Sequence, residues 1–142
     1  MSIIVVDASV GVKWFVPEVH AEEARQWRNG PDELHVPAFF FDLEIANILW
    51  KKVRRGEIAR TDADLIIGQL TALPLTRHPD APLLISAFNL ADRNQRTVYD
   101  CLYFALAVQL GGRMVTADER LYNSLATTPW AGNICWVGDL PK

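Results

Sequence analysis

The chain has 142 residues, of which half are hydrophobic and 22% are charged, so one globular domain with its own core is expected over residues 1–142. The formal net charge is −3, which argues against a broad basic surface for phosphate backbones but leaves room for a local basic patch. No stretch approaches the roughly 20 apolar residues of a membrane span, and the apolar run at the start is too short for a signal peptide. Cys101 and Cys135 lie among apolar neighbours without the spacing of a zinc site, which predicts buried free thiols. Together these features predict a cytoplasmic protein with no membrane association.

Short apolar runs alternate with helical patterns along the chain. The apolar runs predict strands at 3–6, 34–37, 73–78, 113–116 and 134–137. Helical spacing and composition predict helices within 9–16, 20–31, 39–55, 61–73, 80–94, 97–112 and 117–125. Thr61 with Asp64 reads as a capping box, Asp80 as the start of the next helix, and Gly56 as the end of the long third helix. This order predicts an α/β fold, a three-layer α/β/α sandwich with a mainly parallel central sheet.

Two acidic residues follow strands. Asp7 comes directly after the first strand, IIVV, and Asp118 follows the strand RMVT after one intervening residue. Ligands of open parallel sheets bind in the crevice beyond the carboxyl ends of the strands. We therefore expect Asp7 and Asp118 to lie at one edge of the sheet, although each could simply be a turn or N-cap residue.

Two further acids occur in apolar helices. Glu44 lies in the apolar part of the long third helix, and Asp100 lies in the first turn of the most hydrophobic helix of the chain. A bare carboxylate in such surroundings is costly, so each should face a partner or a cation. Glu44 could instead pair with a lysine, and Asp100 could form a capping box with Thr97.

The joint pattern of four acids is harder to explain by caps alone. Convergent carboxylates repel one another and raise each other's pKa unless a cation lies between them. Ligands made only of oxygen select hard ions such as Mg²⁺ or Mn²⁺, which generate a nucleophilic water and neutralise charge on a phosphate. The residues themselves therefore favour a metal-dependent phosphodiesterase as one plausible class.

Four phrases, VVDASV, FFDLEIANIL, YDCLYFALA and MVTADERL, occur in this order between residue 3 and about residue 124. They resemble the PIN-domain ribonucleases, in particular the VapC toxins of bacterial toxin–antitoxin pairs. The resemblance implies a Mg²⁺- or Mn²⁺-dependent endoribonuclease that forms a homodimer. It also implies a small antitoxin that inserts a C-terminal segment into the active-site groove.

Carried over by position, the resemblance places the family's acidic quartet on Asp7, Glu44, Asp100 and Asp118. In this assignment the three aspartates hold metal, and Glu44 binds metal or orients the attacking water. The small polar positions beside the metal and beside the helix acid match Ser9, Thr116 and Asn47. Asp42, two residues before Glu44, is a rival for the helix position, but Glu44 fits the phrase EIANIL better.

The RNA backbone would need basic residues near the acids. The candidates are Lys13, on the short helix after Asp7, together with Arg93 and Arg96 before the most hydrophobic helix. The basic run that includes Lys51 and Arg55 more simply complements the dipole at the end of its helix.

Three other classes remain as alternatives. An aspartate-based phosphatase would also place an acid after an apolar strand, but Ser9 stands where the common family of that type has a second aspartate. A receiver-like signalling module would carry paired acids after its first strand, whereas this chain has one. A PIN fold that serves only as a binding module would not need the intact quartet.

Overall fold

The computed structural model describes residues 2–140, and in that range five strands form one sheet. The strands are β1 (Ile3–Val6), β2 (Glu33–Pro37), β3 (Thr76–His78), β4 (Arg113–Thr116) and β5 (Ile134–Trp136). The helices are α1 (Ala8–Gly11), α2 (Ala21–Asn29), α3 (Ala38–Arg54), α4 (Arg60–Gln69), α5 (Leu84–Asn94), α6 (Val98–Leu110) and α7 (Glu119–Ala126). Short 3₁₀ turns cover Val12–Trp14, Leu70–Ala72, Ala81–Leu83 and Ala131–Asn133.

The strand order is β3-β2-β1-β4-β5, and all the described pairings are parallel. The chain runs outward from β1 to β2 and β3 on one side of the sheet, and then crosses to β4 and β5 on the other side. The direction of the connections therefore reverses next to β1. A reversal of this kind leaves a crevice at the carboxyl edge of the sheet. Asp7 follows β1 at this edge, and Asp118 lies two residues beyond β4.

The core lies between the sheet and the helices that cover it. Helix α6 packs on β1, β2 and β4, and α5 packs against α6. Helix α3 packs against β2, α1 and α4. The strands β1 and β4 are almost completely buried, as expected for the middle of a parallel sheet. Close packing is visible at Gly112, where an added Cβ would lie 2.5 Å from the carbonyl oxygen of Ile3. The expected three-layer α/β/α fold is confirmed.

Of two predicted helix starts, the one at Thr61 is wrong and the one at Asp80 is confirmed. Helix α4 begins at Arg60 with Ala59 at the N-cap, so Thr61 lies inside the helix and Asp64 pairs with Arg60 instead, Oδ1 to Nε 3.0 Å. Asp80 is the N-cap residue of the helical segment that begins at Ala81, as predicted, but its side chain makes no capping bond to that segment. Its carboxylate accepts hydrogen bonds from the backbone N–H groups of Phe39 and Phe40, and so caps α3, 40 residues earlier.

Other predictions concern the two cysteines and the glycine after the third helix. Cys101 and Cys135 are buried and free, as expected. Gly56 ends the third helix with a φ of +73°, the left-handed conformation that favours glycine. In residues 2–140 no helix is both long and apolar enough to cross a bilayer.

Candidate active site

Asp7 is the buried centre of the candidate site, with 7% of its surface exposed. It lies at the N-cap position of α1, but its carboxylate does not cap that helix. Its Oδ2 instead accepts hydrogen bonds from Thr116 Oγ1, at 2.8 Å, and from Ser9 Oγ, at 3.0 Å. The hypothesis that Asp7 is only a cap is therefore wrong, and both predicted small polar residues contact it.

Thr116 joins the ends of β1 and β4. While its hydroxyl donates to Asp7, it accepts a hydrogen bond from the backbone N–H of Asp118 at 3.0 Å. Ser9 makes a parallel link, since its Oγ accepts from the backbone N–H of Ala117 at 3.0 Å. These bonds hold the first and fourth strand ends in one register and fix Asp118 beside Asp7.

Asp118 does act as an N-cap, because its Oδ1 accepts from the backbone N–H of Leu121 at 3.1 Å. The N-cap role that the sequence offered as an alternative for Asp118 is therefore correct. This role is compatible with a place for Asp118 in the candidate site. The capping bond engages one oxygen of the half-buried carboxylate, so the other oxygen is free of that bond and could accept a further contact.

Glu44 enters the site from α3, and its partner is a tyrosine rather than a lysine. The hydroxyl of Tyr103, on α6, donates to Glu44 Oε1 at 2.7 Å. Asp42, the rival for this position, is held away by the guanidinium of Arg77, whose Nη1 donates to both carboxylate oxygens at 2.9 and 3.1 Å. The structure thus favours Glu44 over Asp42 as the helix acid.

Tyr103 was not anticipated from the sequence. It is almost completely buried and contacts the ring of Phe40 as well as Glu44. The available signal was a hydroxyl-bearing residue three positions after Asp100 in an otherwise apolar helix. Because residues three apart lie on the same helix face, Tyr103 could have been predicted as a site residue from its spacing to Asp100.

Asp100 lies in the first turn of α6, half-buried. Thr97 caps the helix by accepting from the backbone N–H of Asp100 at 3.1 Å, so the Asp100 carboxylate is not consumed in capping. One Asp100 carboxylate oxygen lies 3.9 Å from Nη2 of Arg96. Asp100 is therefore both a helix residue and an acid of the site.

The four acids are close enough for several of their charges to interact. The pKa of Asp7 is raised to about 6, mainly because burial and the charge of Asp100 outweigh the lowering effect of the hydrogen bonds from Thr116 and Ser9. Burial also raises the pKa of Glu44 to about 7, with the charges of Asp7 and Asp100 adding to the effect. The pKa of Asp100 is raised by burial and by the charge of Asp118.

These acids suit a hydrated divalent ion better than a tightly enclosed one. Within the described range, 2–140, no three Asp, Glu, His or Cys side chains form a group that could hold an ion by themselves. Mg²⁺, however, keeps several of its waters and needs only one or two direct carboxylates, with the others acting through water. An all-oxygen set whose carboxylates raise each other's pKa therefore fits Mg²⁺ or Mn²⁺.

The side chains of the other predicted residues make no hydrogen bond to the four acids in the part of the chain that the structure describes. Asn47 is exposed on α3, one turn after Glu44, and makes no side-chain hydrogen bond within residues 2–140. Lys13 donates to Glu18 at 3.1 Å, and Glu18 is also paired with Lys52. Arg93 is exposed on α5. Of the predicted basic residues, the structure brings Arg96 alone into ion-pair range of one of the four acids.

Residues 4–124 match the family model of the PIN domain, so the chain belongs to that family. Ribonuclease VapC3 of Pyrobaculum aerophilum is 38% identical over 123 residues, which cover 83% of this chain and 91% of that protein. Ribonuclease VapC12 of Mycobacterium tuberculosis is 34% identical over 122 residues, which cover 85% and 91%. Within the PIN-domain family, the chain is a member of the VapC group.

The fold agrees with a solved structure. The crystal structure of PAE2754 from Pyrobaculum aerophilum superposes with a TM-score of 0.69 over 96% of this chain and 90% of that one, at 24% identity. At this level of identity the likeness concerns the fold, and it supports the PIN-like arrangement of the sheet and helices.

Proposed function

We propose that this protein is a metal-dependent endoribonuclease that hydrolyses RNA phosphodiester bonds. The observation that carries the proposal is the meeting of Asp7, Glu44, Asp100 and Asp118, drawn from four separate segments, at the carboxyl edge of the sheet. The relatives named as VapC ribonucleases support the same reaction. Residues 1–142 would act as one PIN domain.

The proposed cofactor is Mg²⁺ or Mn²⁺, held by Asp7, Asp100 and Asp118 directly or through water. When bound, such an ion supplies Lewis-acid stabilisation of the phosphate and a more acidic water. Thr116 and Ser9 fix the orientation of the Asp7 carboxylate. Tyr103 holds one oxygen of Glu44, so that the other oxygen can accept a hydrogen bond from the attacking water. Asn47 remains a proposed supporting residue at the rim.

Labelled single-stranded RNA and purified protein provide the direct test. We expect internal cleavage with Mg²⁺ or Mn²⁺, none with EDTA, and a loss of at least about 100-fold in Asp7→Asn and Asp100→Asn, because electrostatic stabilisation is usually the largest catalytic contribution. Asp92→Asn, an exposed acid on α5, is the matched control and should retain full activity. Cleavage that survives EDTA and both site substitutions would contradict the proposal.

The same preparations test the phosphatase alternative. In the structure Ser9 donates a hydrogen bond to Asp7 and accepts one from a backbone N–H, which is a positioning role. We therefore expect no release of phosphate from p-nitrophenyl phosphate under conditions that cleave RNA. Phosphate release that depends on Asp7, without RNA cleavage, would favour the phosphatase.

As a VapC-type protein, the chain is proposed to act as the toxin of a toxin–antitoxin pair. A groove of about 450 Å³ between α3 and α4 is lined by Trp50, Val53 and Ile67. This apolar groove would give the antitoxin a second contact, in addition to the contact of its C-terminal segment with the active-site groove. Expression alone should arrest growth, and co-expression of the small frame beside its gene should relieve the arrest. Trp50→Ala should weaken this relief and leave RNA cleavage unchanged, whereas Leu65→Ala, an exposed residue outside the groove, should change neither the relief nor the cleavage.

We also propose a homodimer, and hence a heteromeric complex with the antitoxin. Leu84, Ile85 and Phe88 lie on one exposed face of α5, and Phe39 is brought near the start of that segment by its bond to Asp80. An exposed apolar cluster of this kind marks a protein–protein contact, and a two-fold axis would let it pair with itself.

A further inference from the structure

Arg96 lies between two helices at the rim of the candidate site. Helix α5 ends at Asn94, Gln95 adopts a left-handed conformation with φ of 53°, and Thr97 caps α6. The backbone N–H of Arg96 donates to Ala91 at 3.2 Å, which fixes the turn. The side chain is thus placed by the backbone beside the first turn of α6, where Asp100 lies.

The guanidinium of Arg96 is only loosely held. Its Nη2 lies 3.9 Å from Asp100 Oδ2, and its buried Nε has no hydrogen-bond partner in the part of the chain that the structure describes. Arg77 shows the contrast, since it makes two bonds to Asp42 and others to the carbonyl oxygens of Ala38 and Leu70. A buried donor without a protein partner is costly, so the Arg96 side chain would be stabilised by an added acceptor.

Three other basic side chains are engaged elsewhere, whereas Lys51 is exposed on α3 and its charge acts on Glu44. Lys13 and Lys52 share Glu18, and Arg54 lies over the ring of Trp50. Across residues 2–140, Arg96 is the one lysine or arginine within 4 Å of an acid of the quartet. A negatively charged substrate at the quartet would therefore meet this guanidinium beside Asp100, with Lys51 as a more distant positive charge on the Glu44 side.

We propose that Arg96 binds a non-bridging oxygen of the RNA phosphate at the acid site, and that it leaves Asp100 when the divalent ion takes that carboxylate. The inference rests on the proposed function, and it identifies the residue that positions the substrate. Before the ion binds, Arg96 offsets the charge of Asp100. Afterwards its donors turn to the phosphate, where guanidinium geometry matches two oxygens.

Binding of a fluorescein-labelled single-stranded RNA 12-mer, followed by anisotropy, tests this proposal. Glu44→Gln serves as the parent, because it retains the three proposed metal aspartates and lacks the carboxylate that orients the water. In Mn²⁺, adding Arg96→Ala should raise Kd about 5- to 10-fold and reduce the salt dependence by about one phosphate contact, a slope of roughly 0.7 for single strands. In EDTA, where Arg96 remains at Asp100, the same change should alter Kd less than about two-fold. Arg96→Lys should be intermediate in Mn²⁺.

Two controls make the result specific. Arg93→Ala removes an exposed arginine three residues earlier, so its effect should be small and equal in Mn²⁺ and EDTA. Thermal melting of each variant verifies folding, and Mn²⁺ affinity without RNA separates the two possible roles of Arg96. If Arg96→Ala changes Mn²⁺ affinity and leaves RNA affinity as in the parent, Arg96 only neutralises Asp100 and the inference is overturned. If the parent itself binds no RNA, the proposed function falls, and the inference falls with it.

Discussion

The position of Asp7 is unfavourable for folding but suited to the proposed binding of a cation. Its carboxylate is buried, and two hydroxyl donors offset part of the cost of its charge. The raised pKa means that the ionised form remains costly in the folded protein without a cation. Residues that hold a metal are commonly placed at such a cost, which the ion then removes.

The pH dependence of stability follows from that pKa. Folding raises the pKa of Asp7 from 3.8 to about 6, so the folded protein binds the proton more tightly than the unfolded chain. The resulting stability is fully present below about pH 4 and is lost as the pH rises through about 6. In EDTA at pH 8, Asp7→Asn should therefore raise the free energy of unfolding by up to about 3 kcal/mol.

Urea denaturation in EDTA at pH 5 and pH 8 measures this effect. The advantage of the asparagine variant should be smaller at pH 5, where the wild-type carboxyl is largely protonated. Adding Mn²⁺ at pH 8 should stabilise the wild type and not the variant. A variant that is less stable than the wild type at pH 8 in EDTA would show that the hydrogen bonds from Thr116 and Ser9 outweigh the cost of burial.

At the scale of elements, the start of α3 depends on a carboxylate from elsewhere in the chain. Pro37 occupies the N-cap position and provides no side-chain acceptor. Asp80 supplies it across the sheet edge, through bonds to the N–H groups of Phe39 and Phe40. Because α3 carries Glu44, this cap also supports the position of a site residue.

Replacing Asp80 tests the cap. Asp80→Ala should destabilise the protein by about 1 kcal/mol, the usual cost of losing a capping side chain, and Asp80→Asn should cost less because its oxygen still accepts. Thermal denaturation of the two variants provides the comparison. Equal melting temperatures for wild type and Asp80→Ala would show that solvent satisfies these N–H groups equally well.

Gln95 occupies a backbone conformation that usually belongs to glycine. Its φ of 53° and ψ of 41° are left-handed, which costs a residue with a Cβ roughly 1 kcal/mol. Gln95→Gly should therefore stabilise the protein by about 0.5–1 kcal/mol and raise the melting temperature by a few degrees. Gln95→Ala, which keeps the Cβ, is the matched control and should show no such gain. A glycine variant that melts below the wild type would contradict the expected relief of strain.

At the scale of the molecule, the exposed patch on α5 predicts the assembly state. Ile85 and Phe88 are 77% and 64% exposed, which is unusual for such large apolar side chains. Ile85→Lys should convert the proposed dimer to a monomer in light scattering coupled to size-exclusion chromatography, whereas Leu65→Lys, on α4, should leave the dimer intact. A monomeric wild type at micromolar concentration would contradict the prediction.

Much of the fold was predictable because its signals are local. The apolar runs of β1 and β4 and the glycine after α3 each mark an element by themselves. The long-range hydrogen bonds of Asp80 and Tyr103 were not predictable in this way, since their partners lie 40 and 59 residues away. Thr61 failed because the helix gains its first turn from Ala59 and Arg60, with the Arg60–Asp64 pair in place of a side-chain cap.

The central position of β1 also has a consequence for synthesis on the ribosome. Asp7 emerges early, but its hydroxyl partner Thr116 and the acid Asp118 belong to a segment made more than 100 residues later. Until β4 pairs with β1, one edge of the first strand stays open and the quartet is incomplete. On the proposed function, a nascent toxin therefore stays inactive until the segment that carries Thr116 and Asp118 has been translated and β4 has paired with β1.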